Sequence, residues 1–292
     1  MPRTYAVPTR GEPQPAISRR AAVLGSPVAH SLSPVLHRAA YTALGLHDWR
    51  YDLVDCDEAA LPAFVDGLGP EWVGLSLTMP LKRVALEVAD EVSDVATGIG
   101  AANTLVFTAA GDRLHRRAEN TDVLGITAAL VEAGLDRVRN AVILGAGGTA
   151  QSALAALREL GESEPTVLVR DPARTTDLRK AADRLGVRPT IRGGLPEVSL
   201  PKADLVLSTL PSGAADSMAA GPWRAGAVVL DVVYAPWPTP FAVAAAAAGC
   251  RVVSGLAVLL HQAVAQVELM TGHRAPVEAM RAALDAAVRG SA

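Results

Sequence analysis

Residues 141–150 constrain this chain more than any other stretch. A short apolar run, Ala141-Val142-Ile143-Leu144, feeds directly into Gly145-Ala146-Gly147-Gly148-Thr149-Ala150, and helix-compatible residues 151–160 follow. Strand, glycine turn and helix in that order let backbone N–H groups approach a pyrophosphate at a helix N-terminus. The segment therefore predicts a nicotinamide dinucleotide site. A P-loop is disfavoured, because no Gly-Lys-Ser/Thr follows the turn. A lone glycine pattern is weak, so the flanking sequence has to supply the rest.

The flanks read as an α/β chain. Downstream, residues 166–169, 204–209, 227–233 and 251–253 are apolar strand candidates, with helices expected at 176–185 and in the alanine run after Phe241. Upstream, residues 21–24, 49–54 and 72–78 read as strands, with helices expected at 34–44, 57–68 and 87–97. A hairpin is expected around Ala110-Gly111-Asp112, and further helices at 123–133, 255–270 and 276–288. Apolar strands alternating with helices argue for a parallel sheet covered on both faces. At 292 residues the chain exceeds what one core usually organises, so two domains are expected.

Composition narrows the partners. Half the residues are hydrophobic and a fifth are charged, which reads as globular. A net charge of -3 gives no basis for a nucleic-acid partner. No apolar run approaches the roughly 18–20 residues of a membrane span. Ser18-Arg19-Arg20 ahead of Ala21-Ala22-Val23-Leu24 superficially matches a twin-arginine signal. The run stops at Gly25-Ser26-Pro27, short of the roughly 7–15 apolar residues such a signal needs. Cys56 and Cys250 show no metal-ligand spacing, so a reducing cytoplasm is the expected setting, with a disulfide between them left open. Residues 1–18 hold four prolines and are expected to form a loose extension.

Several polar residues sit where strands meet helices. Ser33 suits a helix N-cap ahead of Pro34, and Ser31 lies two residues before it. The pair reads either as capping or as two hydroxyls for an oxygen-rich ligand. Gly74, Ser76 and Thr78 share one strand face, and Lys82 follows at a helix start, as a solvated charge or as part of a site. Asp122 in Asn120-Thr121-Asp122 reads as a cap or as part of a polar cluster. Gln262 and Gln266, one turn apart, share a helix face. After the strand that ends at Val169 come Arg170, Asp171 and Arg174. An acid at that point favours NAD and an arginine favours the 2′-phosphate of NADP. Two guanidiniums can flank a phosphate, and Asp171 can turn away to cap the next turn, so NADP(H) is favoured.

Taken together these stretches resemble the shikimate dehydrogenase family, in order, over residues 21–275. The resemblance rests on His30-Ser31-Leu32-Ser33-Pro34, on residues 74–82, on Gly100-Ala101-Ala102-Asn103-Thr104 and on Asn120-Thr121-Asp122. It continues through Gly145-Ala146-Gly147-Gly148, Asp231-Val232-Val233-Tyr234 and Gly255-Leu256 leading to Gln262. It implies an N-terminal α/β substrate domain, residues 19–122 with 256–292, and a Rossmann domain, residues 123–255, with the C-terminal helices returning to the first. Ser31 and Ser33 are then expected to bind the substrate carboxylate. Ser76, Thr78, Lys82, Asn103, Asp122 and Gln262 are expected around the ring hydroxyls and reacting oxygen, with Tyr234 lining the cleft. The family often has asparagine where Ser76 stands. Cofactor contacts are expected from residues Gly145, Ala146, Gly147, Gly148, Thr149, Ala150, Arg170, Asp171, Arg174, Thr209, Val232 and Gly255.

The implied reaction is reversible NADPH-dependent reduction of 3-dehydroshikimate to shikimate, a step of aromatic amino-acid biosynthesis, with Lys82 and Asp122 as catalytic pair. Two alternatives stand beside it. One is an NAD-dependent quinate/shikimate dehydrogenase, and the other a non-catalytic dinucleotide or shikimate sensor. Small-molecule substrate is the only partner expected, with the chain a monomer or a homodimer.

Overall fold

The computed structural model describes residues 18–111, 113–194, 203–221 and 223–290. Residues 1–17 of the expected N-terminal extension lie outside the described residues, as does Asp112 of the expected hairpin turn. Ser18 is already tied to the sheet edge, where its N–H donates to the Asp48 carbonyl at 3.0 Å.

Two six-stranded sheets organise the described chain. The first is built from β1 (Arg19–Gly25), β2 (Trp49–Asp55), β3 (Trp72–Leu77), β4 (Glu91–Val92), β5 (Thr104–Ala110) and β6 (Arg113–Glu119), in the order β2-β1-β3-β5-β6-β4. β1 pairs in parallel with β2 and β3, whereas β5 runs antiparallel to both β3 and β6. The β5–β6 pairing is the expected hairpin. Around this sheet lie α1 (Ser33–Ala43), α2 (Leu61–Asp66), α3 (Val84–Glu87) and α4 (Asp94–Ile99).

The second sheet is wholly parallel. Its strands are β7 (Ala141–Leu144), β8 (Thr166–Val169), β9 (Thr190–Gly193), β10 (Leu205–Ser208), β11 (Val228–Asp231) and β12 (Arg251–Ser254), ordered β12-β11-β10-β7-β8-β9. Read from β9 to β12 this is the 3-2-1-4-5-6 order of a doubly wound dinucleotide fold. Its helices are α5 (Asp122–Glu132), α6 (Gly148–Glu159), α7 (Thr176–Leu185) and α8 (Pro240–Ala247). β10 and β11 are buried at every position, as parallel strands covered on both faces must be. On α6, Ala150, Ala153, Leu154 and Leu157 enter one core with Ile143, Val167 and Leu207. The small alanines let this helix lie close to the sheet, which holds the glycine turn at its N-terminus rigid.

The chain then returns through α9 (Gly255–Thr271) and α10 (Val277–Gly290). α9 packs on α5, and α10 on α1. Gly125 makes the α5–α9 contact possible: a Cβ there would lie 2.8 Å from the Val258 carbonyl and 2.9 Å from Gln262 Cβ. Leu36, Leu260, Val267, Met280 and Leu284 form the core that joins α1, α9 and α10. A further link crosses between the two assemblies. Arg184 of α7 donates to the carbonyls of Gly98 and Ile99, both at 3.0 Å, at the C-terminus of α4, where carbonyls lack helical partners.

Local expectations needed four corrections. The helix expected at 57–68 shrinks to α2, because the Asp57 carboxylate takes the Ala60 N–H at 2.9 Å and makes a turn first. The helix expected at 87–97 is broken. Asp90 takes the Arg116 N–H, β4 pairs with β6, and α4 restarts under the Ser93 cap. β9 went unread, because only Ile191 among its four residues is apolar. Ser33 is the first residue of α1 and not its cap; instead the Ser31 hydroxyl takes the Ser33 N–H at 3.3 Å. Both cysteines are free and buried. No helix among the described residues is long and apolar enough to cross a membrane.

Candidate active site

A cavity of about 410 Å³ opens where the strand ends of the two sheets face each other. Its walls include Ser31, Ser33, Ser76, Thr78, Lys82, Asn103, Asp122, Tyr234 and Gln262, all nine residues expected around a substrate. Thr149, Val232 and Gly255 line the same cavity from the second sheet. These residues come from seven separate stretches of sequence, and the two sheets with α9 bring them together.

Charge is concentrated at one pair. Lys82 sits in the turn between β3 and α3, and its Nζ donates to Asp122 Oδ2 at 2.5 Å. Asp122 is the first residue of α5, where a carboxylate also meets the positive end of the helix dipole. It does not cap that helix; its own N–H is taken by Asn120 Oδ1 at 3.1 Å. Its other oxygen, Oδ1, accepts from Asn103 Nδ2 at 2.8 Å. Both charges are largely sheltered, with 20% and 13% of their side chains exposed, so their field is screened less than at a surface. An ammonium has three N–H donors, so a Lys82 engaged once by Asp122 retains donors for a substrate oxygen.

Asn103 is locked beneath this pair. Its Oδ1 accepts the Thr121 N–H at 2.8 Å and the Thr104 hydroxyl at 2.9 Å. Its Nδ2 also lies 3.3 Å from Gln262 Oε1. Ser31 and Ser33 stand at the start of α1 and line the same cavity as Thr149 of α6. Burial pushes the Tyr234 phenol above its ordinary range, which keeps it neutral.

A second cavity, about 650 Å³, lies over the glycine turn. Gly145, Ala146, Gly147, Arg170, Asp171 and Arg174 line it. The Asp171 carboxylate faces its own loop, accepting the Ala173 N–H at 2.9 Å, and so caps the short 3-10 turn Pro172–Arg174. It can cap this turn without pointing at a bound phosphate. The first-turn N–H groups of α6, from Gly148 to Ala150, have no helical partner, as at any helix start. The Ala150 side chain is fully buried in the core, so only its backbone is available there. Thr209, expected among the cofactor contacts, lines neither cavity. Its hydroxyl donates to the Leu144 carbonyl at 2.8 Å and braces the glycine turn from β10. Gly145, at φ +106°, sits where a Cβ would meet that hydroxyl at 2.5 Å.

The sequence reading missed some of the lining. His30 and Met79 stand at the cleft, and Leu210, Ala214 and Ser217 line the nucleotide cavity. Gln266 also lines the cleft; its one-turn spacing from Gln262 was the only available signal.

Comparisons with known proteins agree with this geometry. Residues 23–105 match the model of the shikimate dehydrogenase substrate binding domain. Residues 255–284 match that of the shikimate 5'-dehydrogenase C-terminal domain. The shikimate dehydrogenase (NADP(+)) of Moorella thermoacetica is 38% identical over 282 residues, 92% of this chain and 94% of the relative. The chain belongs to the shikimate dehydrogenase family.

Solved members of the family share its architecture. The Mycobacterium tuberculosis shikimate dehydrogenase superposes with a TM-score of 0.81 at 47% identity, over 92% of this chain and 99% of that one. A Thermus thermophilus shikimate 5-dehydrogenase, solved in complex with NADP(H) and shikimate, superposes with a TM-score of 0.78 at 33% identity, over 92% and 99%. Within a shikimate dehydrogenase fold the cleft between the sheets joins a wall of hydroxyls, an ion pair and a dinucleotide cavity.

Proposed function

We infer that this protein is an NADP-dependent shikimate dehydrogenase that reversibly reduces 3-dehydroshikimate to shikimate, in the cytoplasm, as a step of aromatic amino-acid biosynthesis. One observation carries the reading: the partly buried Lys82–Asp122 pair lies in a cleft that also presents Thr149, Val232 and Gly255 of the nucleotide half. Support also comes from the family relatives, which are named for this activity and this cofactor.

Residues 19–122 with 256–292 form the substrate domain and residues 123–255 the cofactor domain. The nucleotide cavity fits NADP(H). Backbone N–H groups at the start of α6 would hold the pyrophosphate, and Arg170 and Arg174 would offer guanidiniums to a 2′-phosphate. The Asp171 carboxylate stays on the Ala173 N–H, out of that phosphate's way. When bound, the nicotinamide supplies or accepts the hydride at the Gly255 end of the cleft.

The chain's own residues do the rest. Ser31 and Ser33 hold the substrate carboxylate. Thr78, Asn103 and Gln262 hold ring hydroxyls. Lys82 donates to the carbonyl oxygen, stabilises the negative charge that grows there and delivers its proton. Asp122 holds the ammonium in place and accepts from the hydroxyl next to it.

Initial rates with shikimate and quinate, each with NADP⁺ and NAD⁺, test this. Shikimate with NADP⁺ is expected to be the fastest combination. NAD⁺-dependent quinate turnover as the dominant activity, or no turnover at all, would overturn it.

A further inference from the structure

Gln266 is fully buried on the cleft side of α9 and has no role in the chemistry described above. Its side chain nonetheless makes four hydrogen bonds beneath the cleft. Nε2 donates to the Asn103 carbonyl at 3.3 Å and to the Thr104 hydroxyl at 2.9 Å. A backbone carbonyl can only accept, so the amide N–H₂ must face β5. Oε1 therefore faces β3, where it accepts the Ser76 hydroxyl at 2.7 Å, with His37 Nε2 at 3.3 Å. Ser76 Oγ in turn accepts from the fully buried Tyr51 hydroxyl at 2.6 Å. Ser76 has one proton, and Gln266 takes it.

The shortest contacts set most of the directions, with the Thr121 hydroxyl able to serve either Asn103 or Gln262. Thr104 receives a proton from Gln266, so its own goes to Asn103 Oδ1 at 2.9 Å. Asn103 then presents Nδ2 to Asp122 at 2.8 Å, with Thr121 Oγ1 at 3.0 Å and Gln262 Oε1 at 3.3 Å also in reach. Gln262 sits one helical turn before Gln266 on α9, so whatever fixes Gln266 also fixes how deeply Gln262 enters the cleft. The Gly125 contact presses the same turn of α9 from the other side.

We propose that Gln266 is a positioning residue: with Thr104 and the Tyr51–Ser76 hydroxyls it buttons α9 to the first sheet, setting Gln262 and Asn103 for the substrate. Ser76 is committed to that task and donates nothing to the substrate. This rests on the cleft being the shikimate site. A serine is sufficient here because the neighbour that needs a donor is Gln266, whose oxygen lies within reach of a short hydroxyl.

The test uses near-isosteric changes in the full-length protein. Gln266→Met and Thr104→Val remove the bonds while keeping volume, and Thr104→Ser restores the hydroxyl. Gln266→Met and Thr104→Val are expected to lower kcat/KM for shikimate about tenfold each, the scale of one well-placed hydrogen bond, with KM for NADP⁺ unchanged. Thr104→Ser is expected to recover most of that loss. The side-chain amide NMR resonances of Gln262 and Asn103 are expected to shift in Gln266→Met. Equal losses in Thr104→Ser and Thr104→Val would assign the effect to packing and overturn the proposal. So would unshifted Gln262 and Asn103 resonances in Gln266→Met. An inactive wild-type enzyme would instead overturn the functional reading, and the NMR outcome would still decide this one.

Discussion

Lys82 Nζ and Asp122 Oδ2 lie 2.5 Å apart, joined across the cleft floor from the end of β3 to the start of α5. No other ion pair of the described residues has both partners on the cleft wall. In the proposed reaction this pair offers a cation to the carbonyl oxygen, and neither residue lines the cavity over the glycine turn. Lys82→Ala is therefore expected to lower kcat by about 10²–10³-fold, the range for losing one electrostatic donor at a developing oxyanion. Cofactor affinity, read by fluorescence titration with NADPH, is expected to stay at the wild-type value. Near-wild-type turnover would remove Lys82 from the mechanism.

Cofactor choice should reside in the loop after β8. Arg170 and Arg174 line the nucleotide cavity while Asp171 is held by the Ala173 N–H. Replacing both arginines by alanine is expected to raise KM for NADP⁺ by about 10²-fold, since a charge-assisted bond contributes about 1.5–3 kcal/mol. KM for NAD⁺ is expected to change little. A parallel rise for both cofactors would mean that the arginines do not read the 2′-phosphate.

Gly255 is fixed by space rather than by turn conformation. A Cβ there would lie 2.0 Å from the Val232 carbonyl oxygen and 2.5 Å from its carbon, both rigid backbone atoms. Gly255→Ala must push β12 and the start of α9 away from β11, at a cost of about 1–3 kcal/mol as for other overpacked sites. A lowered thermal midpoint together with a lowered kcat is the expected result. An alanine variant with unchanged midpoint and rate would contradict this geometry.

His37 makes stability depend on acid. It is wholly buried, stacked on Tyr51 with ring centroids 4.0 Å apart, and desolvation lowers its pKa from 6.5 to about 4 despite the Gln266 bond. Between those values the unfolded chain binds a proton that the folded chain refuses, so stability rises with pH through that window. Cooling the acidity from pH 4 to 6.5 should regain up to roughly 3 kcal/mol from this residue. Urea denaturation of wild type and His37→Phe across pH 4–7 checks it. The phenylalanine keeps the stack, so its profile should lack this portion of the slope, and two parallel profiles would count against His37.

Much of the site was legible before any coordinates. Ser31, Lys82, Asn103, Asp122 and the Gly145–Gly148 turn lie in short motifs whose spacing is set by a strand end and a helix start. Strand ends and helix starts bring such residues near a sheet edge, and the family resemblance is what marks Ser31, Lys82, Asn103 and Asp122 as site residues. The bond from the Thr209 hydroxyl to the Leu144 carbonyl, 65 residues away, could not be read from its place at a strand end. The one-turn spacing of Gln266 from Gln262 was legible but its partners were not, since 190 residues separate Gln266 from Ser76, and an interior tyrosine such as Tyr51 carries no pattern of its own.

The sequence by itself determined the alternation of strands and helices, the glycine turn that opens α6 and the residue types that gather at the strand ends. Periodicity, turn chemistry and apolar runs act over a few residues, and these features need nothing more. Only the tertiary structure decided which polar groups meet and in which direction their protons point. That Ser76 serves Gln266 depends on where an acceptor from a distant helix comes to rest, whereas the bond from the Ala173 N–H to Asp171 is local and was open to the sequence. A buried donor must find such an acceptor or cost about 1–3 kcal/mol, so packing settles the bonding that sequence leaves open.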